Sequence, residues 1–586
     1  SIEMNPTLVG PYLNMGVISK TNKDYKNAAY YYGKVLQYDS TYAWAYNNLA
    51  NIYAGEKNYA KAIDYYNRAI KLDSNYHMAY SNLAISYEGL KQYDTALKLL
   101  HLSKSLEMYD ASTYYSIAHV HYNKKNYDSS ALYYYYCTLL DSTDAKSYYW
   151  MGRSYEKQGD TMLARLYYNQ AGEIDTTYAD PWEAIADLYY NDKNYSEAAL
   201  WYALAVSKDT LSADQWFYMG RAYYYADSTA LAEKIFRKKV LKLDSNYKAV
   251  YVQLGNIFYD RSVYDSAEYY YKRAIKIDSA YTVAHYNLGL VHEMRTDYDK
   301  AIKSFRSALK YDTAYYSALN ALGDEYRLKE KYDSAAKYYN FYLQRDTAFS
   351  RKTLNNLATV YDKMGDTVKA INSYKKILSR QQDVDAAFSL GDLYYRYGNY
   401  AEAKVWYARA EGNEDYKLAL LYRYASLEEV AGNYEQAATI FKEALKIDSA
   451  NPYGLTNYGR VVGVYLKKPA EAQPYVQKAA ELDTANYFSS YFNLAYNYYL
   501  SGDLNTSAVW FEKSVTRNPH DFGSTYNLAC IYSIQKNNAK ALKYLDWSFK
   551  EGYTDFEHVK ADTDLDNIRN LPEFAAIITK YKKGGK

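Results

Sequence analysis

Apolar residues recur along this chain at helical intervals, interrupted at regular distances by polar breaks. Between Ala43 and Tyr76, the residues Tyr46, Leu49, Ala50 and Tyr53 fall at i, i+3, i+4 and i+7. After the break Gly55-Glu56-Lys57-Asn58, the residues Ala62, Tyr66, Ala69 and Ile70 fall at i, i+4, i+7 and i+8. Each set lays one apolar stripe along an α-helix. The break predicts a turn. The stretch is therefore a hairpin of two amphipathic helices, A and B.

The same hairpin returns along the whole chain. A small residue follows the Leu-like position of each A helix: Gly16, Ala50, Ala84, Ala118, Gly152, Ala186, Gly220, Gly255, Gly289, Gly323, Ala358, Gly391, Ala425, Gly459, Ala495 and Ala529. The interval is 34 residues, with single-residue slips near 255, 358 and 391 and a two-residue insertion before 495. A small residue twelve positions further on, such as Ala62, Ala96, Ala164 or Ser130, confirms the register. This period and pattern resemble the tetratricopeptide repeat (TPR). The resemblance implies an all-α, right-handed superhelical solenoid of about sixteen helical hairpins plus C-terminal helices. Residues 1–8 match the tail of a preceding repeat-like segment, 9–552 the sixteen hairpins, and 553–586 capping or docking helices with a basic tail. Arg380–Asp385 and Glu411–Asp415 are expected as weak joints. Pro474 predicts a bend or a restart of its B helix.

Composition narrows the partners. Seventy basic residues against 68 acidic ones give a net charge of +2, so neither nucleic acid nor an anionic membrane is favoured electrostatically. No apolar run is long enough to cross a bilayer. The 82 tyrosines far exceed the 15 phenylalanines. Some fill repeat positions; the others suit wet interfaces, or reflect a habit of placing Tyr on helices. Cys137 and Cys530 lie too far apart in a solenoid to pair, and both occupy small-residue positions. The chain starts at Ser1, which fits a processed product.

No catalytic, cofactor or metal motif accompanies the repeats. His119 and His121 project to different sides of one helix, and His285 and His292 stand two turns apart without a ligand framework. Asn48, Asn82, Asn287, Asn493 and Asn527 occupy the A-helix position that some TPR proteins use to grip a partner's C-terminal carboxylate. The accompanying basic residues are missing, so only a generic concave, protein-binding groove is expected.

The junctions between hairpins carry one further pattern. Where the repeat family usually places Pro, this chain has Ser or Thr after Asp. These side chains would cap the next A helix. The triplets also resemble the Asp-Ser/Thr-aliphatic O-glycosylation motif of exported proteins in one group of Gram-negative bacteria. On that resemblance the candidate acceptors are Ser40, Ser142, Thr176, Thr210, Ser279, Thr313, Thr347, Ser449 and Thr484. Thr95, Thr161, Ser228, Ser266, Ser334 and Thr367, at or near the start of B helices, are weaker candidates. Ser74 and Ser245 depart from the motif because Asn follows them.

Together these readings predict a non-enzymatic, exported, O-glycosylated structural scaffold that assembles with itself into fibres. Its place would be extracellular or at the cell surface, alternatively the periplasm. The competing expectations are an adaptor, periplasmic or bound to the outer membrane, that holds a protein segment in its groove, and an accessory or fragment of a larger enzyme or sensor.

Overall fold

The computed structural model describes residues 8–208, 212–345, 349–482 and 488–583. All regular structure among these residues is helical, in consecutive packed pairs. The chain divides into two compact units, Ser1–Tyr315 and Tyr316–Lys586. Among the described residues the first holds nine hairpins, and the second holds seven plus a set of terminal helices.

The second hairpin, Ala43–Gly55 and Tyr59–Leu72, shows how each is made. Asn58 caps the B helix by accepting from the Lys61 amide, as Asp24, Asp160, Asp366 and Asp503 do in theirs. These side chains satisfy an amide that the helix start leaves unpaired. The break is not turned by Gly55, which is helical and has open space where a Cβ would stand. Lys57 makes the turn, at φ 58°. The equivalent residue has positive φ in every hairpin: Gly159, Gly365, Gly398, Gly432 and Gly502 in five, a non-glycine residue in the other eleven. Seven of those eleven are lysines.

The small residue of each A helix has a specific partner. A Cβ on Gly289 would fall 2.4 Å from the Phe305 ring, and one on Gly255 2.4 Å from the Tyr271 ring. The aromatic ring of the B helix thus lies directly on the A-helix backbone. Where Ala stands instead, as at Ala50 in the cluster with Tyr66, both are fully buried.

One spacing slip, and one residue of the two-residue insertion before 495, are absorbed inside helices. The seventh B helix widens into a π-turn at Phe236–Val240, and the fourteenth A helix does so at Val461–Tyr465. A π-turn adds one residue without breaking the helix. The second of these moves the next B helix on by one, so Gly459 faces Val476 rather than Tyr475. Pro474 lies within the unbroken helix Pro469–Leu482, so no restart occurs there. The Arg380–Asp385 joint is also tighter than expected. Asp383 caps the helix Val384–Arg396 through the Ala386 amide at 2.8 Å, and Arg351 pairs with both Asp383 and Asp385. At Glu411–Asp415 the B helix does stop early, at Ala408, and Asn413 caps the next helix.

The terminal helices close the second unit. Val559, Leu565, Ile568, Phe574 and Ile578 are buried in one cluster with Leu528, Ile531, Leu545 and Phe549 of the last hairpin.

Candidate protein-interaction face

The A helices present a polar face whose side chains are set by the buried B-helix aromatics. The Tyr66 hydroxyl donates to Asn51 Oδ1 at 2.6 Å, fifteen residues earlier on the A helix. The same bond joins Tyr271 to Asn256 at 2.8 Å, Tyr339 to Asp324 at 2.6 Å and Tyr407 to Asp392 at 2.6 Å, and also Tyr202 to Asp187. At two positions where the residue fifteen back is Leu290 or Arg221, the B helix carries Phe305 or Phe236, whereas Tyr32, fifteen residues after Val17, and Tyr134 keep buried hydroxyls that find no partner. This bond accounts for five of the 82 tyrosines. Eight tyrosines are among the largest fully buried side chains, and a buried phenol needs an acceptor.

Further bonds run from one A helix to the next. Asn82 donates to Asn47 at 3.1 Å, Asn287 to Asn256 at 2.9 Å and Asn356 to Asp324 at 2.9 Å, while Lys20 donates to Asn48 at 3.0 Å. Three of the A-helix asparagines singled out in the sequence are thus rungs of a ladder between repeats.

The charges on this face differ between the units. In hairpins five to seven the A-helix carboxylates accept from neutral donors, although Glu156 is also flanked by Arg153 at 3.9 Å and Lys157 at 3.7 Å. Glu156 accepts from Tyr168 at 2.5 Å, Glu183 from Gln215 Nε2 at 2.9 Å and Asp214 from Tyr247 at 2.6 Å. Burial raises the Glu183 carboxyl above its ordinary range, and the neighbouring Asp187, Asp180 and Asp214 raise it further. Asp187, open to solvent but enclosed by adjacent repeats, is raised for the same first reason. In hairpins eleven to fourteen the carboxylates meet arginines instead. Arg423 bonds Asp392 at 2.6 and 3.0 Å, Arg460 bonds Glu429 at 2.5 and 2.9 Å, and Arg396 bonds Asp362 at 2.7 and 3.2 Å. Burial acts to raise Asp383, but the bonds from Arg351, the Ala386 amide and Gln381 outweigh it and hold the carboxyl low.

At the junctions, aspartate does the structural work. Asp39 Oδ1 accepts from the Thr41 amide at 2.9 Å, and Asp141, Asp175, Asp278, Asp312 and Asp448 make the equivalent bond. The hydroxyl residue between, at Ser40, Ser142, Thr176, Ser279, Thr313 or Ser449, is exposed. None of these six is the N-cap of the next helix, a place taken at the first by Tyr42 and at the second by Asp144. The capping role expected of these side chains is therefore corrected: the preceding Asp organises the turn. Thr210, Thr347 and Thr484 lie outside the described residues. The weaker candidates are placed differently. Thr95 and Ser228 are exposed, whereas Thr161, Ser266, Ser334 and Thr367 are half-buried in the first turns of B helices.

Potential ligand groups are engaged within the protein. His119 bonds Glu88 at 2.8 Å, and His121 stacks on Tyr133. Both cysteines are buried. Cys530, Asp562 and Asp564 approach one another closely, but Asp562 accepts from Tyr526 at 2.6 Å and from the Cys530 thiol at 3.6 Å, and it caps the following helical turn. Burial keeps that thiol protonated. This cluster is a hydrogen-bonded clasp for the terminal helices.

Comparison with known proteins agrees with this geometry. Models described as tetratricopeptide repeat match residues 43–76, 65–98, 146–174, 283–315, 355–417 and 488–521, and one described as TPR repeat matches 255–294. The chain is 32% identical over 143 residues to the heat shock protein sti1 homolog of Schizosaccharomyces pombe, covering 22% of this chain and 21% of that protein. It is 31% identical over 58 residues to a chloroplastic protein of Arabidopsis thaliana, covering 10% and 17%. The chain thus spans about a fifth of the length of these curated relatives. Among solved structures, Naa15/Naa10 bound to HypK-THB is similar over 98% of this chain and 96% of that chain, at 13% identity and a TM-score of 0.33. With helix pairs at the repeat's period and a small-on-aromatic contact in most Gly-bearing pairs, the matched stretches are tetratricopeptide repeats, and the chain carries tetratricopeptide repeats.

Proposed function

We propose that this chain is a protein-interaction scaffold whose A-helix face holds an extended segment of a partner. The observation that carries this reading is the face itself. Its polar side chains are fixed by buried phenols and by bonds between repeats, which lowers the entropy lost when a segment is bound. Affinity capture with the full chain, followed by photo-crosslink mapping, tests it. Crosslinks confined to B helices would refute it.

The accessible junction hydroxyls support a second element, covalent O-glycosylation of an exported protein, outside the cell or in the periplasm. Their side chains are not needed for the turn, so a sugar there costs little structure. The acceptors would be Ser40, Ser142, Thr176, Ser279, Thr313 and Ser449, with Thr210, Thr347 and Thr484 at the other junctions. Intact mass of native material decides this, because a mass equal to the bare 67.9 kDa chain removes it. Fibre-like self-assembly has less support than the scaffold reading. The terminal apolar residues that would dock on another copy are buried against this chain's own last hairpin.

A further inference from the structure

The sixth and seventh A helices, Asp180–Asn191 and Ala213–Tyr225, bring four carboxylates together without a matching cation. Asp180, Asp187 and Asp214 all bear on Glu183, and among the described residues no basic group is found acting on Glu183 itself. Arg153 and Arg221 are partly or wholly engaged with other groups. Arg153 lies against Glu156 at 3.9 Å and offsets Asp187 only in part. The Arg221 guanidinium lies over the Tyr190 ring at 5.3 Å and the Phe217 ring at 5.7 Å.

A second observation points to a missing donor. Gln215 is only 5% exposed, and its amide nitrogen bonds Glu183. Its amide oxygen is buried with no hydrogen-bond partner. A buried acceptor without a donor costs free energy, and so do crowded carboxylates. A single group with several N–H donors and a positive charge would relieve both. Lysine and arginine side chains are such groups.

We propose that the A-helix face at Glu183, Asp187 and Gln215 is the seat for a lysine or arginine side chain of an extended partner segment. This rests on the reading of that face as a protein-binding surface, and it names the chemistry of what binds. The partner is a basic segment, in contrast to the acidic C-terminus that a carboxylate-gripping groove would take.

The test uses the full chain and two photo-reactive peptides. In one, lysine alternates with leucine; in the other, norleucine replaces each lysine. Binding is read by fluorescence anisotropy, and the contact by crosslink mapping. The lysine peptide is expected to crosslink within 180–225. Its affinity should fall about tenfold with Glu183→Gln/Asp187→Asn, as for loss of an interfacial charge pair. Gln215→Ala should weaken it less. Asp415→Asn/Glu435→Gln, which removes equal charge elsewhere, should leave it unchanged. Thermal unfolding of each variant establishes that it is folded. If both peptides crosslink to A helices equally, or the double variant binds lysine peptide normally, the proposal falls and the protein-binding reading stands. If neither peptide crosslinks to any A helix, both fall.

Discussion

The same face of the same repeat is stabilised in two ways along this chain. In hairpins six and seven, the A-helix carboxylates Glu183, Asp187 and Asp214 are held by phenols and an amide. In hairpins eleven to fourteen, Asp362, Asp383, Asp392 and Glu429 are held by arginines. A neutral donor satisfies an acceptor's geometry but leaves its charge uncompensated. An arginine satisfies both. The first arrangement retains negative charge for a ligand, whereas the second uses its charge to lock successive repeats. A repeat scaffold can therefore vary binding and rigidity along its length without altering its core.

The largest effect should come from breaking a lock. Asp383→Ala removes a helix cap and the partner of Arg351, and should cost about 2–3 kcal/mol, read as lost hydrogen-exchange protection in Val384–Arg396. Equal protection would show that the arginine bonds contribute nothing. Next is the phenol rule. Phe305→Tyr places a hydroxyl opposite Leu290 and should cost about 1–3 kcal/mol, whereas Tyr271→Phe loses one bond and should cost about 1 kcal/mol. Reversed magnitudes in local exchange would break the rule.

Acidification should separate the two regions in sign. Glu183 and Asp187 titrate above their ordinary values when folded. Their cost to stability is full above those raised values and vanishes as pH falls to the ordinary range near about 4. Asp383 and Asp385 titrate below their ordinary values. Their contribution is full above about pH 4 and is lost as pH falls through the lowered values. Exchange protection, corrected for intrinsic rates, should therefore rise in 180–225 between pH 7 and 4, and fall in 384–396 only below that. Parallel responses would remove the distinction. The smallest effect is Lys57→Gly, which relieves a left-handed residue and should stabilise by about 0.5–1 kcal/mol.

Much of the repeat was legible in the sequence, but its polar face was not. Leu49, Ala50 and Tyr66 announced themselves through helical spacing, because packing in each hairpin is local. Tyr66 over Phe305 became intelligible only with the acceptor, since Asn51 and Leu290 look alike as surface positions. Asn58 was recognisable as part of a turn, but the left-handed conformation fell to Lys57 rather than to Gly55. Arg380–Asp385 looked weak because its partner, Arg351, lies about one repeat away. The junction hydroxyls were conspicuous, yet the bond that makes the turn belongs to the preceding aspartate.

By itself the sequence determined the helices, their pairing and the count of hairpins, because amphipathic spacing and small-on-aromatic packing act within some thirty residues. Tertiary structure decided what the A-helix face carries. Which carboxylate meets a phenol, which meets an arginine, and which is left for a ligand depends on side chains about 15 or 30 residues apart. Only the stacking of the hairpins brings those side chains within hydrogen-bonding distance.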